Sequence, residues 1–301
     1  MASRSSTALG LSCTGEASHG RRDNREAICS NRAVPTEYPP KHHMTRDLRM
    51  SIDREVSGST ARMPIVPEVL TDQGTVRAGA LATLVDVLCG GLALDVAHPN
   101  WLATLDLSLH LLRPLTRGSV VARGSVLRGG RQTVVLEVLL ADDAGLESGL
   151  ATMTFAILER RPDTPVYARD FATRHTELGL PGSGLSAPFA ERLGIRVVDA
   201  AAGQVEIDMS PYVFNSLSAL QGGAAAALVD VASAEFGRAL LGAEVDTTDL
   251  EIHYLALGKV APIRAQARVL GREARSAVLR VEVREAGPDA RLCYVATTRV
   301  G

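Results

Sequence analysis

The chain has 301 residues, 46% apolar and 22% charged, with a formal net charge of −2. That length accommodates two domains of about 150 residues, each able to bury its own core. No basic or acidic run dominates, which argues against non-specific nucleic-acid binding.

Residues 1–48 are rich in Ser, Arg, Asn, His and Pro without periodicity. They are expected to form a disordered tail, with Met44, Met50 and Met63 as alternative start sites. Neither a secretory signal nor a metal-binding cysteine pattern is present. Cys13 and Cys29 fall in this tail, and Cys89 and Cys293 in apolar segments, so a reducing cytoplasm fits best.

A first domain is expected over 49–160. Ser51 to Val69 holds one or two strands, and Thr71 to Gly74 is turn chemistry. A long apolar helix then runs from Arg77 to Ala97 and stops at His98-Pro99. Asp86 and Asp95, two glycines and the lack of basic anchors argue against a membrane span. Four strands follow, at 101–112, 119–127, 132–141 and 147–158, separated by turns such as Arg128-Gly129-Gly130. One long helix followed by regular short strands reads as an antiparallel sheet wrapped on the helix, an α+β domain.

A Pro, Gly, Thr and Arg-rich linker spans 161–185, with a short helix expected around Ala168 to Thr173. The second domain, 186–301, repeats the first. A short helix (Pro188 to Leu193) and two strands lead to a second apolar helix, Gly222 to Leu241, and strands at 247–257, 263–270, 277–285 and 291–300. Leu84-Val85-Asp86-Val87 recurs letter for letter as Leu228-Val229-Asp230-Val231, at an offset of 144. Beyond the helices the offset is 143, where Asp106 to His110 matches Asp249 to His253. A period this long means duplication of a whole domain, and two copies of one fold pack most naturally about an internal two-fold axis.

A lone carboxylate among Ala, Leu and Val is costly unless it is paired, hydrated or used. Asp86 and Asp230 are therefore candidate site residues, although each could instead cap a neighbouring loop or pair with an arginine. His110 and His253 lie at equivalent mid-strand positions and read as structural. No GxSxG elbow, P-loop or dinucleotide loop is present.

Asn215, Gln221, Gly222, Gly223, Leu228 and Asp230 together form a spaced motif. It resembles that of the hotdog-fold acyl-CoA thioesterases of the PaaI-like group, in which Asn is followed by His-Gly-Gly and then a helix with Leu-x-Asp. Thr104 to Leu107 and Thr247 to Leu250 also fit that group's Thr-x-Asp-Leu strand pattern. The resemblance covers roughly 50–160 and 186–300. It implies two hotdog domains packed as an internal pseudo-dimer, hydrolysing a thioester to a carboxylate and free CoA without metal or cofactor.

Carried over residue by residue, the resemblance makes Gly222 N–H the oxyanion donor, a role worth roughly 3–4 kcal/mol. Asn215 would orient the loop or the substrate, with Gln221 in the histidine's place and Gly223 beside it at the substrate. Asp86, from the other half, would attack or activate water, with Thr104 nearby. Asp230 and Thr247 would face a degraded site, where Thr71, Arg77 and Ala78 stand for Asn215, Gln221 and Gly222. Arg128, Arg131, Arg272 and Arg275 near hairpin turns serve as solvated charges or as contacts for CoA phosphates.

Alternative readings are a non-catalytic acyl-CoA-binding or regulatory protein and an enoyl-CoA hydratase. For the latter, Asp95 and His98 are the nearest match to an Asp/His pair, at a helix end. Homo-oligomers of the double-domain chain are expected, with no nucleic-acid or membrane partner.

Overall fold

Twenty apolar, small-residue positions in a row form a helix with no polar face to show to water. The computed structural model answers this by burying that helix against a sheet and a second helix. It describes residues 38–55, 58–160, 174–287 and 289–301, all within one compact unit, Val34–Gly301.

In chain order the first half runs α1 (Met44–Asp47), β1 (Ser51–Arg54), β2 (Ser59–Pro64), α2 (Ala78–Ala97), β3 (Trp101–Leu111), β4 (Ser119–Gly129), β5 (Thr133–Ala141) and β6 (Glu147–Leu158). The edge strand β7 (His175–Glu177) follows. The second half runs α3 (Phe189–Arg192), β8 (Ile195–Asp199), β9 (Gln204–Ile207), α4 (Gly222–Leu241), β10 (Thr247–Tyr254), β11 (Ile263–Arg272), β12 (Ala277–Glu285) and β13 (Leu292–Val300). The two long helices and the strands after them fall where the periodicity places them, within about three residues at each end.

Three features differ from expectation. Residues 38–48, taken as tail, are structured: Met44 and Leu48 are buried and the α1 turn is capped by His43. This turn is the counterpart of α3, with Arg49 (φ 50) standing where Gly194 (φ 78) stands in the second half. Within the linker, His175–Glu177 pairs antiparallel with β1, where His175 meets Asp53 and Glu177. The helix expected at 168–173 lies outside the described residues, as do Cys13 and Cys29.

The two sheets are also one. Thirteen strands join in the order β7-β1-β2-β4-β5-β6-β3-β10-β13-β12-β11-β9-β8. The halves meet at β3 and β10, which pair antiparallel. Ser108 and Glu251, counterparts in the repeat, face each other there, so the pseudo-two-fold axis passes between them. On either side His110 reaches Asp249 (2.8 Å) and His253 reaches Asp106 (2.5 Å). The two mid-strand histidines thus fasten the seam, the structural role their position suggested.

The sheet wraps both long helices, and one continuous core runs through both halves. By length and composition α2 could cross a membrane, but 67% of its apolar window is buried inside the fold.

Close approach of α2 and α4 rests on glycine. A Cβ on Gly79 would lie 2.5 Å from the Ala227 Cα, and one on Gly223 would lie 2.6 Å from the Thr83 Cα. These contacts are the same contact seen twice about the axis. Neither backbone can move aside without parting the helices.

Gly79→Ala and Gly223→Ala are each expected to destabilise the fold by about 1–3 kcal/mol or more through overpacking. Urea unfolding monitored by circular dichroism measures this. Gly90→Ala, in the same helix as Gly79 at a position where a Cβ meets nothing within 4 Å, serves as the comparison and is expected to gain about 0.5–1 kcal/mol from helix propensity.

Candidate active site

The helix contact carries each aspartate of one helix to the first turn of the other. Asp86, in the middle of α2, lies against the start of α4. The Gln221 side-chain amide donates to its Oδ2, and the Gly223 backbone N–H is also turned to the carboxylate. A Cβ on Gly222 would lie 2.8 Å from Asp86 Oδ1 and 3.1 Å from its Cγ. Glycine at this position is therefore what admits the carboxylate.

Gln221 has two tasks. Its Oε1 caps the helix by accepting from the Ala224 N–H at 3.0 Å, and its amide nitrogen holds Asp86. The Gly222 N–H makes no hydrogen bond among the described residues. It is one of the donors a helix start leaves over, at the positive end of the helix dipole.

Asp86 is buried, and no cation pairs with it among the described residues. Burial raises its pKa from 3.8 to about 7, against the smaller opposing effect of the Gly223 N–H. Its charge is felt in turn by Tyr38, Cys89 and Tyr254, whose ionisation is pushed up first by burial and then by Asp86. The carboxylate thus sits where it can change protonation state near neutral pH.

Asn215 takes the first of its two expected roles, orienting the loop, and Thr104 makes no bond to the carboxylate. Asn215 makes no hydrogen bond to Asp86. Its Oδ1 accepts from the backbone N–H groups of Leu217 (2.9 Å) and Ala219 (3.0 Å), which shapes the loop leading into α4. Thr104 is part-buried and makes no side-chain hydrogen bond among the described residues. Its counterpart Thr247 approaches the Asp230 main-chain oxygen at 3.5 Å.

The equivalent place in the other half is built differently. Asp230 accepts from the Gly79 N–H at 3.1 Å, but Arg77, in Gln221's position, brings a guanidinium to 4.0 Å. Ala78 carries the methyl that Gly222 lacks. Burial raises the Asp230 pKa, and the Arg77 charge acts against that rise. The loop before α2 is tied down from the second half, where Asp246 Oδ2 accepts from Thr71 (3.0 Å) and Thr75 (2.6 Å) and Arg238 pairs with Asp72.

The Asp86 side has further residues without a role in the sequence motif. Tyr38 and His43, from the stretch taken as tail, both bond the Phe214 carbonyl, at 3.3 and 2.8 Å. They strap the loop that leads to Gln221. Tyr254 donates its hydroxyl to the Gly222 carbonyl at 2.9 Å. A signal for Tyr254 was available, since the aligned repeat puts a polar tyrosine opposite Leu111.

A family model described as the thioesterase superfamily matches residues 73–148 and again 218–290, once in each half. A protein of Saccharolobus solfataricus assigned as an esterase is 26% identical over 110 residues, covering 36% of this chain and 79% of that protein. Among solved structures, a hotdog-fold protein from Alicyclobacillus acidocaldarius shares a TM-score of 0.57 at 15% identity, over 85% of this chain and 96% of its own. A structure from Thermobifida fusca described as a thioesterase II matches with a TM-score of 0.57 at 16% identity, over 87% and 97%. These likenesses establish the fold across both halves. With the family model matched twice and the two-fold architecture in place, the chain belongs to the thioesterase superfamily, as two hotdog domains in one polypeptide.

Proposed function

We propose that this protein hydrolyses acyl thioesters, with acyl-CoA as the substrate class, at one composite site per chain. The observation that carries the reading is the buried Asp86 carboxylate, poised near neutrality against the start of α4. The Asn215 to Asp230 spacing shared with the PaaI-like group supports the choice of acyl-CoA. Free, buried Cys89 and Cys293 suit a reducing cytoplasm.

In this reading the thioester carbonyl oxygen rests on the Gly222 N–H, which stabilises the negative charge as the tetrahedral adduct forms. Ionised Asp86 either takes a proton from the attacking water or attacks the carbonyl carbon itself. In the first route the water oxygen bonds the acyl carbon as the C–S bond breaks. In the second an acyl–Asp86 anhydride forms as the C–S bond breaks, and water then cleaves the anhydride to release the carboxylate and restore Asp86. In both, a water proton ends on the departing thiolate. Gln221 holds Asp86 in place, and Asn215 holds the loop that presents Gly222. Asp230 has no such role. Arg77 neutralises it, and the Ala78 methyl occupies the approach that Gly222 leaves open.

Free-thiol release from a panel of acyl-CoAs, acetyl to palmitoyl and aromatic, tests the reading. Asp86→Ala is expected to lower kcat/KM by about a thousandfold or more, and Asp230→Ala to retain turnover. Loss in Asp230→Ala with activity intact in Asp86→Ala would reverse the assignment. Because the ionised form acts, wild-type kcat/KM should rise with pH through about 7.

The same carboxylate has a signature in stability. The unfolded chain releases this proton at about 3.8, whereas the native state holds it to about 7. Stability therefore falls as pH rises through that window, by on the order of 4 kcal/mol, and the whole deficit is present above it. Asp86→Asn is expected to unfold at higher urea than wild type at about pH 8, with the difference shrinking as pH is lowered toward about 4. An equal difference at both pH values would count against a buried, proton-holding Asp86.

A further inference from the structure

The peptide linking Gly222 to Gly223 lies between the Asp86 carboxylate and the Tyr254 hydroxyl. Its N–H is turned to the Asp86 carboxylate, and its C=O accepts the Tyr254 hydroxyl at 2.9 Å. Tyr254 is itself braced. Its ring packs edge-on against Tyr294, with centroids 5.3 Å apart, and the Tyr294 hydroxyl accepts from the Gly258 N–H at 3.1 Å. Gly258 in turn accepts the Leu220 N–H at 2.9 Å, next to Gln221. One chain of contacts thus joins β13, β10 and the loop into the first turn of α4.

The other half supplies an internal comparison. There the equivalent peptide, Ala78 to Gly79, donates to Asp230 at 3.1 Å, but Leu111 and Gly149 stand where Tyr254 and Tyr294 stand. No hydroxyl reaches that peptide from the Leu111 position. The Asp230 anion is supported by Arg77 instead. On the Asp86 side no cation pairs with the carboxylate among the described residues, and the hydroxyl is present.

We propose that Tyr254 is a positioning residue for the Asp86 site: its hydroxyl fixes and polarises the Gly222–Gly223 peptide so that the N–H supports the Asp86 anion. A hydroxyl on the carbonyl draws electron density through the amide and strengthens the N–H as a donor, as in hydrogen-bond chains generally. A stronger donor favours the ionised carboxylate. The titratable groups facing Asp86 are Tyr38 from the strap before α1, Cys89 on its own helix and Tyr254 from β10. All three are held neutral by burial and by the Asp86 charge, so none supplies a positive charge in place of the hydroxyl. As a statement about catalysis this rests on the hydrolase reading above.

Titration of the Asp86 carboxyl by carbon NMR of aspartate-labelled protein tests the coupling directly, with Asp86→Asn assigning the signal. Tyr254→Phe keeps the ring and its packing on Tyr294 and removes only the hydroxyl. Its Asp86 midpoint is expected to move up by about one pH unit, a tenfold change in the proton dissociation constant, while Tyr294→Phe leaves it in place. In turnover, kcat/KM of Tyr254→Phe should fall about tenfold at about pH 6, with the deficit narrowing as pH rises. Equal midpoints in wild type and Tyr254→Phe overturn the inference, whatever the activity. A shifted midpoint in a protein with no turnover on any acyl-CoA upholds the coupling and overturns the hydrolase reading alone.

Discussion

Everything in this fold depends on how closely two helices approach. α2 and α4 touch through Gly79 on Ala227 and Gly223 on Thr83, at a separation that larger residues would forbid. That distance sets the reach of each aspartate. At the observed spacing, Asp86 meets the first turn of α4 and Asp230 the first turn of α2. The sheet, closed across the β3–β10 seam, holds the helices in that embrace. The site is thus a consequence of packing, because the small residues that let the helices touch are also those that uncover the N–H groups.

The cost of the arrangement falls on the carboxylates. Each is withdrawn from water and set against backbone dipoles, and the two halves resolve the cost differently. One supplies a guanidinium, whose charge opposes the rise that burial imposes on the Asp230 pKa. The other supplies only amides, with a hydroxyl behind one of them, which leaves the anion available near neutral pH. A group kept marginal in this way is a common mark of catalytic carboxylates.

Much of this was readable in the chain itself. A string written twice, with an acid in an apolar helix, located both helices, the duplication and the two candidate carboxylates. That Asp86 faces the Gly-Gly pair at the start of α4 followed from the family resemblance and not from the pair alone. What was not readable depended on contacts between distant segments. Residues 38–48 lack periodicity because a four-residue turn has no room for any, although Met44 to Met50 aligns with Phe189 to Ile195. Union of the two sheets through β3 and β10 has no local signature, since an edge strand and a central strand of this kind share one alternation. Asn215 had two expected roles, orienting the loop or the substrate, and its oxygen takes the first, accepting from its own loop as an Asn before a turn commonly does. Tyr254 was hidden in a strand pattern that a tyrosine satisfies as well as a leucine does.

Joining the halves in one polypeptide also removes a constraint that symmetry imposes. In a dimer of identical subunits every substitution appears at both sites, so a change that silences one silences the other. Here Arg77 and Gln221 are separate codons, so the surroundings of Asp86 and of Asp230 could diverge independently. The β3–β10 seam is likewise intramolecular, so dilution cannot part the two contributors to the site.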